Sequence, residues 1–121
     1  MKNHYNKRPI IGYTGKNSLL AKSFIKDYNH KFKFKCYSNN IQNNSKLIKW
    51  FKKNSDINIF INFAAITSPI YCNNNKNEAL LTNFKSVVNI LNIIKTYKLK
   101  NFNYFLTISS SHVFKKSFKK L

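Results

Sequence analysis

The amino-acid sequence predicts an α/β fold in which a doubly wound parallel sheet of about four strands, in the order 3-2-1-4, carries three helices. Three observations lead to this prediction. Segments with the apolar periodicity of strands alternate with segments that have the periodicity of helices. Residues 57–65, INIFINFAA, are mostly apolar, as in a strand covered by helices on both faces. The two glycines of the chain, Gly12 and Gly15, both fall where the first strand should turn into the first helix.

The first strand and helix are predicted from residues 9–28. Residues 9–14, PIIGYT, are a short apolar strand. The helix that follows runs over residues 18–28. Leu20, Phe24 and Tyr28 recur in it at a four-residue step, which places them on one face.

The second strand and helix follow over residues 31–53. Residues 31–37, KFKFKCY, alternate lysine with apolar residues, which is typical of a strand near the edge of a sheet. Asn44 or Ser45 can cap the next helix. The residues of that helix that should face inward are Leu47, Ile48 and Phe51.

The second half of the chain adds two strands and the longest helix. Strand 57–65 leads into a polar loop, a helix from Glu78 to Tyr97, and a fourth strand over residues 102–109. No linker, repeat or break in composition divides the chain, so a single domain is expected. The apolar stripe of the long helix consists of Leu80, Leu81, Phe84, Val87, Val88, Leu91 and Ile94.

The charge of the chain is its most unusual bulk property. Twenty-two Lys and Arg residues oppose three acidic ones, which gives a formal net charge of +19 over 121 residues. Arg8 is the single arginine, whereas proteins that read a DNA sequence rely on arginine for bidentate contacts to guanine. Lysine and asparagine are spread along the whole chain, so we favour a biased composition over a specific nucleic-acid partner.

The composition also bears on location and on metal binding. No stretch approaches the ~20 consecutive apolar residues of a membrane span, and the first residues lack the apolar core of a secretion signal. We therefore expect a cytoplasmic protein with no membrane partner. Cys36 and Cys72 are far apart in sequence and have no nearby histidine, so we expect reduced thiols and no metal site.

The turn after the first strand is the first candidate site. A doubly wound sheet binds ligands outside the carboxyl ends of its strands, and the turn there offers N–H groups to a pyrophosphate at a helix N-terminus. Gly15 permits a tight turn, and Ser18 and Ala21 occupy the next two positions of a G-x-x-G-x-x-G register. A serine adds bulk near the phosphate, although its hydroxyl can donate a hydrogen bond. By itself this stretch fits an ordinary turn before a helix equally well.

Four segments together carry a family resemblance: YTGKNSLLAKSF, INFAAITSPIYC, EALLTNFKSVVNIL and FLTISSSHVF. In this order and spacing they resemble the extended short-chain dehydrogenase/reductase family. More narrowly, they resemble its sugar-nucleotide branch, of the dTDP-4-dehydrorhamnose reductase and NAD-dependent epimerase/dehydratase type. The resemblance spans Ile10 to Phe114. It implies a Rossmann-type dinucleotide-binding fold and an NAD(P)-dependent oxidoreductase that acts on a nucleotide-activated sugar.

The resemblance also implies roles for individual residues. Those assigned to the cofactor are Gly15, Ser18, Leu19, Leu20, Asn40, Ile41, Ala64, Ala65 and Ile66. Thr67 and Ser111 are assigned to the substrate, Ser110 to catalysis as the hydroxyl that hydrogen-bonds the substrate oxygen, and Asn83 to support of the active site from the inward face of the long helix. His112 is interpreted as a packing or surface residue.

The cofactor preference depends on the end of the second strand. Versions of the family that prefer NAD carry an acid there for the ribose 2′-hydroxyl. In this chain the corresponding residues are Ser38 and Asn39, and lysines surround them. NADP is therefore slightly favoured over NAD.

One part of the family's catalytic apparatus is missing from the sequence. The resemblance implies a Tyr-x-x-x-Lys motif whose tyrosine supplies the proton, and no such motif follows Ser110. We therefore expect residues 1–121 to be the N-terminal portion of an NAD(P)-binding domain, without the C-terminal substrate-binding part and inactive alone. Either an incomplete chain or a degraded copy fits this pattern.

Three alternatives for function and assembly stay open. A non-catalytic module that binds a dinucleotide or a polyanion would need no Tyr-x-x-x-Lys motif. A product without any function is also compatible with a degraded copy. The exposed edge of the fourth strand invites association, so a homo-oligomer is possible.

Overall fold

The computed structural model describes residues 7–64 and 69–108, apart from the side chains of Pro69 and Tyr71. In this part of the chain four parallel strands form one sheet in the order β2-β1-β3-β4. Their bounds are Ile10–Thr14 (β1), Lys33–Cys36 (β2), Ile59–Asn62 (β3) and Tyr104–Thr107 (β4).

Helices connect the strands. They are α1 (Leu19–Tyr28), α2 (Asn44–Lys53), α3 (Pro69–Asn74), α4 (Lys76–Leu80) and α5 (Ser86–Thr96). A π-helical turn, Leu81–Lys85, joins α4 to α5, so these three segments form the predicted long helix. The short helix α3 occupies part of the stretch that the sequence predicts as a polar loop.

The predicted doubly wound parallel sheet is confirmed, but its strand order differs from 3-2-1-4 in the place of β3. In the structure β3 lies on the other side of β1 from β2, so the winding reverses after the second strand. The apolar periodicity of a sequence predicts the order of strands and helices along the chain. It does not predict which strands pair, because the paired residues are far apart in sequence. The mostly buried β3 takes a central position, and β2, which carries Lys33 and Lys35, lies at the edge as predicted.

The larger core cluster lies between the sheet and helices α2 and α5. Phe51 of α2 and Phe60 of β3 are fully buried, and their ring centroids are 5.0 Å apart. Leu47, Ile48 and Phe51 face this core, as the sequence predicts. The cap of α2 is neither Asn44 nor Ser45, because the Asn43 side chain accepts a hydrogen bond from the Lys46 N–H at 3.1 Å.

The other face of the sheet is covered by α1. The predicted face of Leu20, Phe24 and Tyr28 is only partly correct, because Leu20 is 52% exposed while Ala21 is fully buried. A small residue at position 21 lets the helix approach the sheet closely, and the helix is turned so that Ala21 and Phe24 pack against it.

The predicted stripe of the long helix is also not the buried one. Ser86, Ile90 and Ile93 face the core, whereas Phe84 is 60% exposed and Leu91 44% exposed. Helix α5 carries apolar residues on most of its circumference, so the periodicity alone could not decide which face meets the sheet.

The core makes a prediction about stability. Truncation of Phe51 to alanine should lower the free energy of unfolding by about 3–5 kcal/mol, because it removes a fully buried ring and leaves a cavity. The matched control is Phe84→Ala, which should change the free energy by less than about 0.5 kcal/mol because that ring is largely exposed. Urea denaturation measures both. Equal losses in the two variants would contradict this account of the core.

Tyr13 makes a prediction about alkaline stability. Burial, together with the neighbouring Cys36, raises the pKa of Tyr13 from 10.0 to about 12. The folded state therefore holds the phenolic proton more tightly than the unfolded state does. This stabilisation is complete below pH 10 and is lost as the pH rises towards 12. The free energy of unfolding should thus fall over that interval, and less steeply in Tyr13→Phe. Urea titrations at stepped pH test this, and identical slopes for the two proteins would refute it.

Candidate functional site

A cavity of about 310 Å³ lies outside the carboxyl ends of β1, β2 and β3. Four residues that the sequence assigns to a cofactor line it together: Gly15, Ser18, Ile41 and Ala64. The other described residues of its wall are Thr14, Lys16, Asn17, Tyr37, Ser38, Asn39 and Phe63. The topology therefore brings three separate loops to one site.

Gly15 is held where no other residue fits. Its φ of +79° is a conformation that favours glycine. A Cβ at this position would lie 2.7 Å from the Ala64 nitrogen and 2.7 Å from the Phe63 carbonyl carbon. The backbone of the turn thus crosses directly over the end of β3. The sequence placed Gly12 in the same turn, but Gly12 belongs to β1, where a Cβ would lie 2.8 Å from the Trp50 ring.

Helix α1 begins at the cavity, because its N-cap residue Ser18 is part of the wall. Ser18 caps the helix, since its Oγ accepts a hydrogen bond from the Ala21 N–H at 3.0 Å. The hydroxyl proton of Ser18 can still be donated to a ligand. The N–H groups of Leu19 and Leu20 belong to the first turn, where an α-helix has no internal acceptors for them. The side chains of both leucines are exposed, so only their backbone suits the predicted contact.

The loop after β2 forms a second wall. Ser38 and Asn39 are exposed and border the cavity, and Ile41 is buried in its wall. Asn40 is not part of the wall: its side-chain oxygen accepts from the Gln42 N–H at 2.9 Å, and its carbonyl accepts from the Tyr37 hydroxyl at 2.8 Å. These bonds fix the shape of the loop.

A buried polar network joins the carboxyl ends of β1 and β3. The Thr14 hydroxyl donates to the Asn62 side-chain oxygen, and both residues are almost completely buried. The Ala64 N–H donates to the same Thr14 oxygen at 3.4 Å, and the Asn62 amide donates to the Thr107 hydroxyl at 3.5 Å. The sequence analysis did not assign Thr14 or Asn62 to the site. Polar residues at the ends of two otherwise apolar strands were the available signal.

Asn83 lies within the π-helical turn, and its side chain is exposed rather than on an inward face. The packing described for α5, in which Ile90 and Ile93 meet the core, accounts for this orientation. π-Helical turns occur frequently at functional sites, and the neighbouring Thr82 hydroxyl accepts a hydrogen bond from Gln42 of the loop after β2 at 3.2 Å. The turn is thereby tied to the loop beside the cavity.

Five of the predicted site residues lie outside the described residues: Ala65, Ile66, Thr67, Ser110 and Ser111. Their roles stay predictions. Strand β4 ends at Thr107, beside Asn62 of β3, so its carboxyl end lies at the same end of the sheet as the cavity.

The charges of the site are simple. Lys16 is the one charged side chain among the described residues of the cavity wall. Within residues 7–64 and 69–108, no three His, Cys, Asp or Glu side chains cluster in a way that could hold a metal ion. No helix of the described chain has the length and apolar character needed to cross a membrane.

The chain is similar to the solved structures of three enzymes, two of which contain a bound dinucleotide. The chain is 17% identical to dTDP-4-dehydrorhamnose reductase from Bacillus anthracis in complex with NADP, with a TM-score of 0.68 over 76% of this chain and 34% of that one. The chain is also 17% identical to UDP-glucose 4-epimerase from Bifidobacterium longum in complex with NAD⁺ and UDP. The TM-score is 0.72, over 87% of this chain and 38% of that one. It is 22% identical to a dTDP-4-dehydrorhamnose reductase from Clostridium acetobutylicum, with a TM-score of 0.68 over 78% of this chain and 34% of that one.

These likenesses establish the fold and also a difference in size. The chain covers only 34–38% of the length of those three proteins. No curated protein matches the chain. The NAD dependent epimerase/dehydratase family, however, matches residues 12–120, which is nearly the whole chain. On this match, and with the fold and cavity described above, the chain belongs to the NAD-dependent epimerase/dehydratase family.

Proposed function

We propose that the chain binds a nicotinamide dinucleotide in the cavity outside β1, β2 and β3. The observation that carries this proposal is the Gly15 turn, which passes so close to Phe63 and Ala64 that no side chain fits at position 15. A backbone held in this way presents N–H groups, together with the start of α1, to a pyrophosphate. Ser18 adds a hydroxyl donor at the same place.

The adenosine half of the dinucleotide would lie against the loop after β2. Ile41 offers an apolar wall for the adenine, and Ser38 and Asn39 offer neutral hydrogen-bonding groups to the ribose. The uncharged side chains of Ser38 and Asn39 would not repel a 2′-phosphate, whereas a carboxylate at the same place would. NADP is therefore slightly favoured over NAD. Ala64, which is small, leaves room beside the cofactor. We assign the same role to Ala65 and a contact with the cofactor to Ile66.

We further propose that the complete enzyme transfers hydride to or from a nucleotide-activated sugar in the cytoplasm, as a reductase like those of dTDP-4-dehydrorhamnose. The bound nicotinamide supplies the hydride chemistry. Ser110 would hydrogen-bond the reacting oxygen of the sugar, with Thr67 and Ser111 as its neighbours in the substrate site. Asn83 would support this arrangement from the π-helical turn. Residues 1–121 would then form the N-terminal portion of the NAD(P)-binding domain.

The second candidate is a non-catalytic module that binds dinucleotides or other polyanions. The formal net charge of +19 favours it. Binding by charge alone weakens steeply as salt rises, whereas recognition of a dinucleotide by a shaped cavity weakens less. The salt dependence of affinity for NADPH and for single-stranded RNA therefore separates the two candidates.

The binding proposal predicts saturable binding of NADPH or NADH at moderate salt, measured by titration calorimetry. Gly15→Val should abolish it because the new side chain collides with the backbone of Phe63 and Ala64, directly after β3. Ala64→Leu, which adds a larger side chain to the cavity wall, should weaken binding about tenfold. The matched control, Asn103→Ala, lies at the opposite end of the sheet and should bind normally. Wild-type affinity in both cavity variants would contradict the proposal.

Turnover by residues 1–121 is a separate prediction. The sequence contains no Tyr-x-x-x-Lys motif, so the proton donor that the family resemblance implies is missing. We expect no oxidation of NAD(P)H in the presence of dTDP- or UDP-sugars. The assay measures the absorbance of the reduced nicotinamide, which should stay constant. Steady turnover that disappears in Ser110→Ala would show that this expectation is wrong.

A further inference from the structure

A second cavity, of about 570 Å³, lies at the amino ends of the four strands, opposite the dinucleotide cavity. Its wall has two different ends. The cationic end consists of Lys7, Arg8 and Lys33, and the polar end consists of Asn101, Asn103 and Tyr104. We propose that this amino-end cavity binds a sugar phosphate, with the phosphate at the cationic end and the sugar at the polar end. The two cavities share no described residue, so the new site does not depend on the proposed function.

The sheet separates the two ends of the amino-end cavity. Lys7 and Arg8 shortly precede β1, and Lys33 opens β2 beside Ile10. Tyr104 opens β4, which pairs with β3 on the other side of β1. Neighbouring strands lie about 4.8 Å apart, so β1 and β4 are separated by about 10 Å. A ligand that contacts both ends is therefore a small molecule with a charged part and an uncharged part, and not a simple ion.

The charges of the cationic end suit a phosphate. Arg8 is held in place, since its guanidinium donates to the Asn29 carbonyl at 2.9 Å and keeps further N–H groups for a ligand. Asp56 is the one acidic residue of the described wall, and the Lys35 ammonium donates to both of its oxygens, at 2.9 and 3.1 Å. Three cations thus converge on a concave surface whose one described carboxylate already has a partner. This arrangement concentrates positive potential, and a phosphomonoester, which carries up to two negative charges, relieves the repulsion.

The polar end offers groups that suit the hydroxyls of a sugar. Its backbone is fixed by Asn58, whose side chain accepts from the Ile10 N–H at 2.8 Å and donates to the Asn101 carbonyl at 3.0 Å. The side-chain amides of Asn101 and Asn103 have no hydrogen-bond partner within the part of the chain that the structure describes. Each amide can both donate and accept, as a hydroxyl does, and the Tyr104 ring beside them is 65% exposed. Sugar hydroxyls can bond to the amides while the apolar face of the sugar lies on the ring.

This ligand chemistry has two sources, a free sugar phosphate and a nucleoside monophosphate, because both contain a phosphorylated sugar. Ribose 5-phosphate and uridine 5′-monophosphate are therefore the probes. Inorganic phosphate is the reference for the charge alone.

The net charge of +19 makes a matched control necessary, because any lost lysine weakens the general attraction for an anion. Lys31 provides this control. It is exposed, lies close to Lys33 in the sequence and is not part of the described wall. Lys33→Met and Lys31→Met have the same net charge, so a difference between them reports the position of the charge.

Titration calorimetry at moderate salt measures the dissociation constants of the three probes. Lys33→Met should weaken the binding of all three about fivefold, and Lys31→Met should leave them unchanged. Asn103→Ala and Tyr104→Ala should weaken the two sugar phosphates about threefold and leave inorganic phosphate unchanged, because only the sugar reaches the polar end. Saturating NADPH should change none of these constants. Tighter binding of uridine 5′-monophosphate than of ribose 5-phosphate would identify a nucleotide as the ligand, and equal binding would identify a free sugar phosphate; both support the inference.

Other results would overturn the inference. Equal effects of Lys33→Met and Lys31→Met would show that charge acts without regard to position. Displacement of ribose 5-phosphate by NADPH would place it in the dinucleotide cavity. Sugar phosphates that bind no more tightly than inorganic phosphate, or that do not bind at millimolar concentration, would also contradict it. If NADPH fails to bind while ribose 5-phosphate binds in the predicted pattern, the proposed function fails and this inference stands.

Discussion

The close approach of the Gly15 backbone to the end of β3 is the constraint on which the rest of the structure depends. It requires β1 and β3 to be parallel neighbours, because only then does the turn after β1 cross over Phe63 and Ala64. The Phe63 N–H donates to the Thr14 carbonyl at 3.3 Å, and the Thr14–Asn62 side-chain bond holds the same two strand ends. Helix α1 then starts beside this junction, and its N-cap residue Ser18 lines the cavity.

Patterns of apolar and polar residues within single segments were sufficient to predict which strands are buried and which lie at the edge of the sheet. The alternation in β2 correctly predicted an edge strand, and the apolar β3 correctly predicted a buried one. The side of β1 on which β3 pairs could not be read in the same way, because pairing depends on residues nearly 50 positions apart. The inward face of α5 was ambiguous for a related reason: a helix that is apolar on most sides can pack through any of them.

The candidate site was predictable to a similar degree. Gly15 and Ser18 were found because a tight turn before a helix has a recognisable sequence, and Ile41 and Ala64 followed from the family resemblance. Gly12 was misplaced because sequence spacing cannot distinguish a glycine that shapes a turn from one that makes room for a ring, here that of Trp50. The sequence assigned no role to Lys16, because one lysine among many cannot be distinguished by sequence alone. The fold places it in the wall of the cavity.

The central claim is that the junction of β1, α1 and β3 is built to hold a nucleotide diphosphate through backbone amides. Nuclear magnetic resonance of the ¹⁵N-labelled chain titrated with 5′-ADP measures this most directly, since it reports each amide separately. The account predicts that the largest shifts fall on Gly15, Ser18 and Ala64, with smaller ones at Ser38. Shifts confined to the opposite end of the sheet, around Asn58 and Asn103, would contradict it, and so would an unchanged spectrum at millimolar ligand.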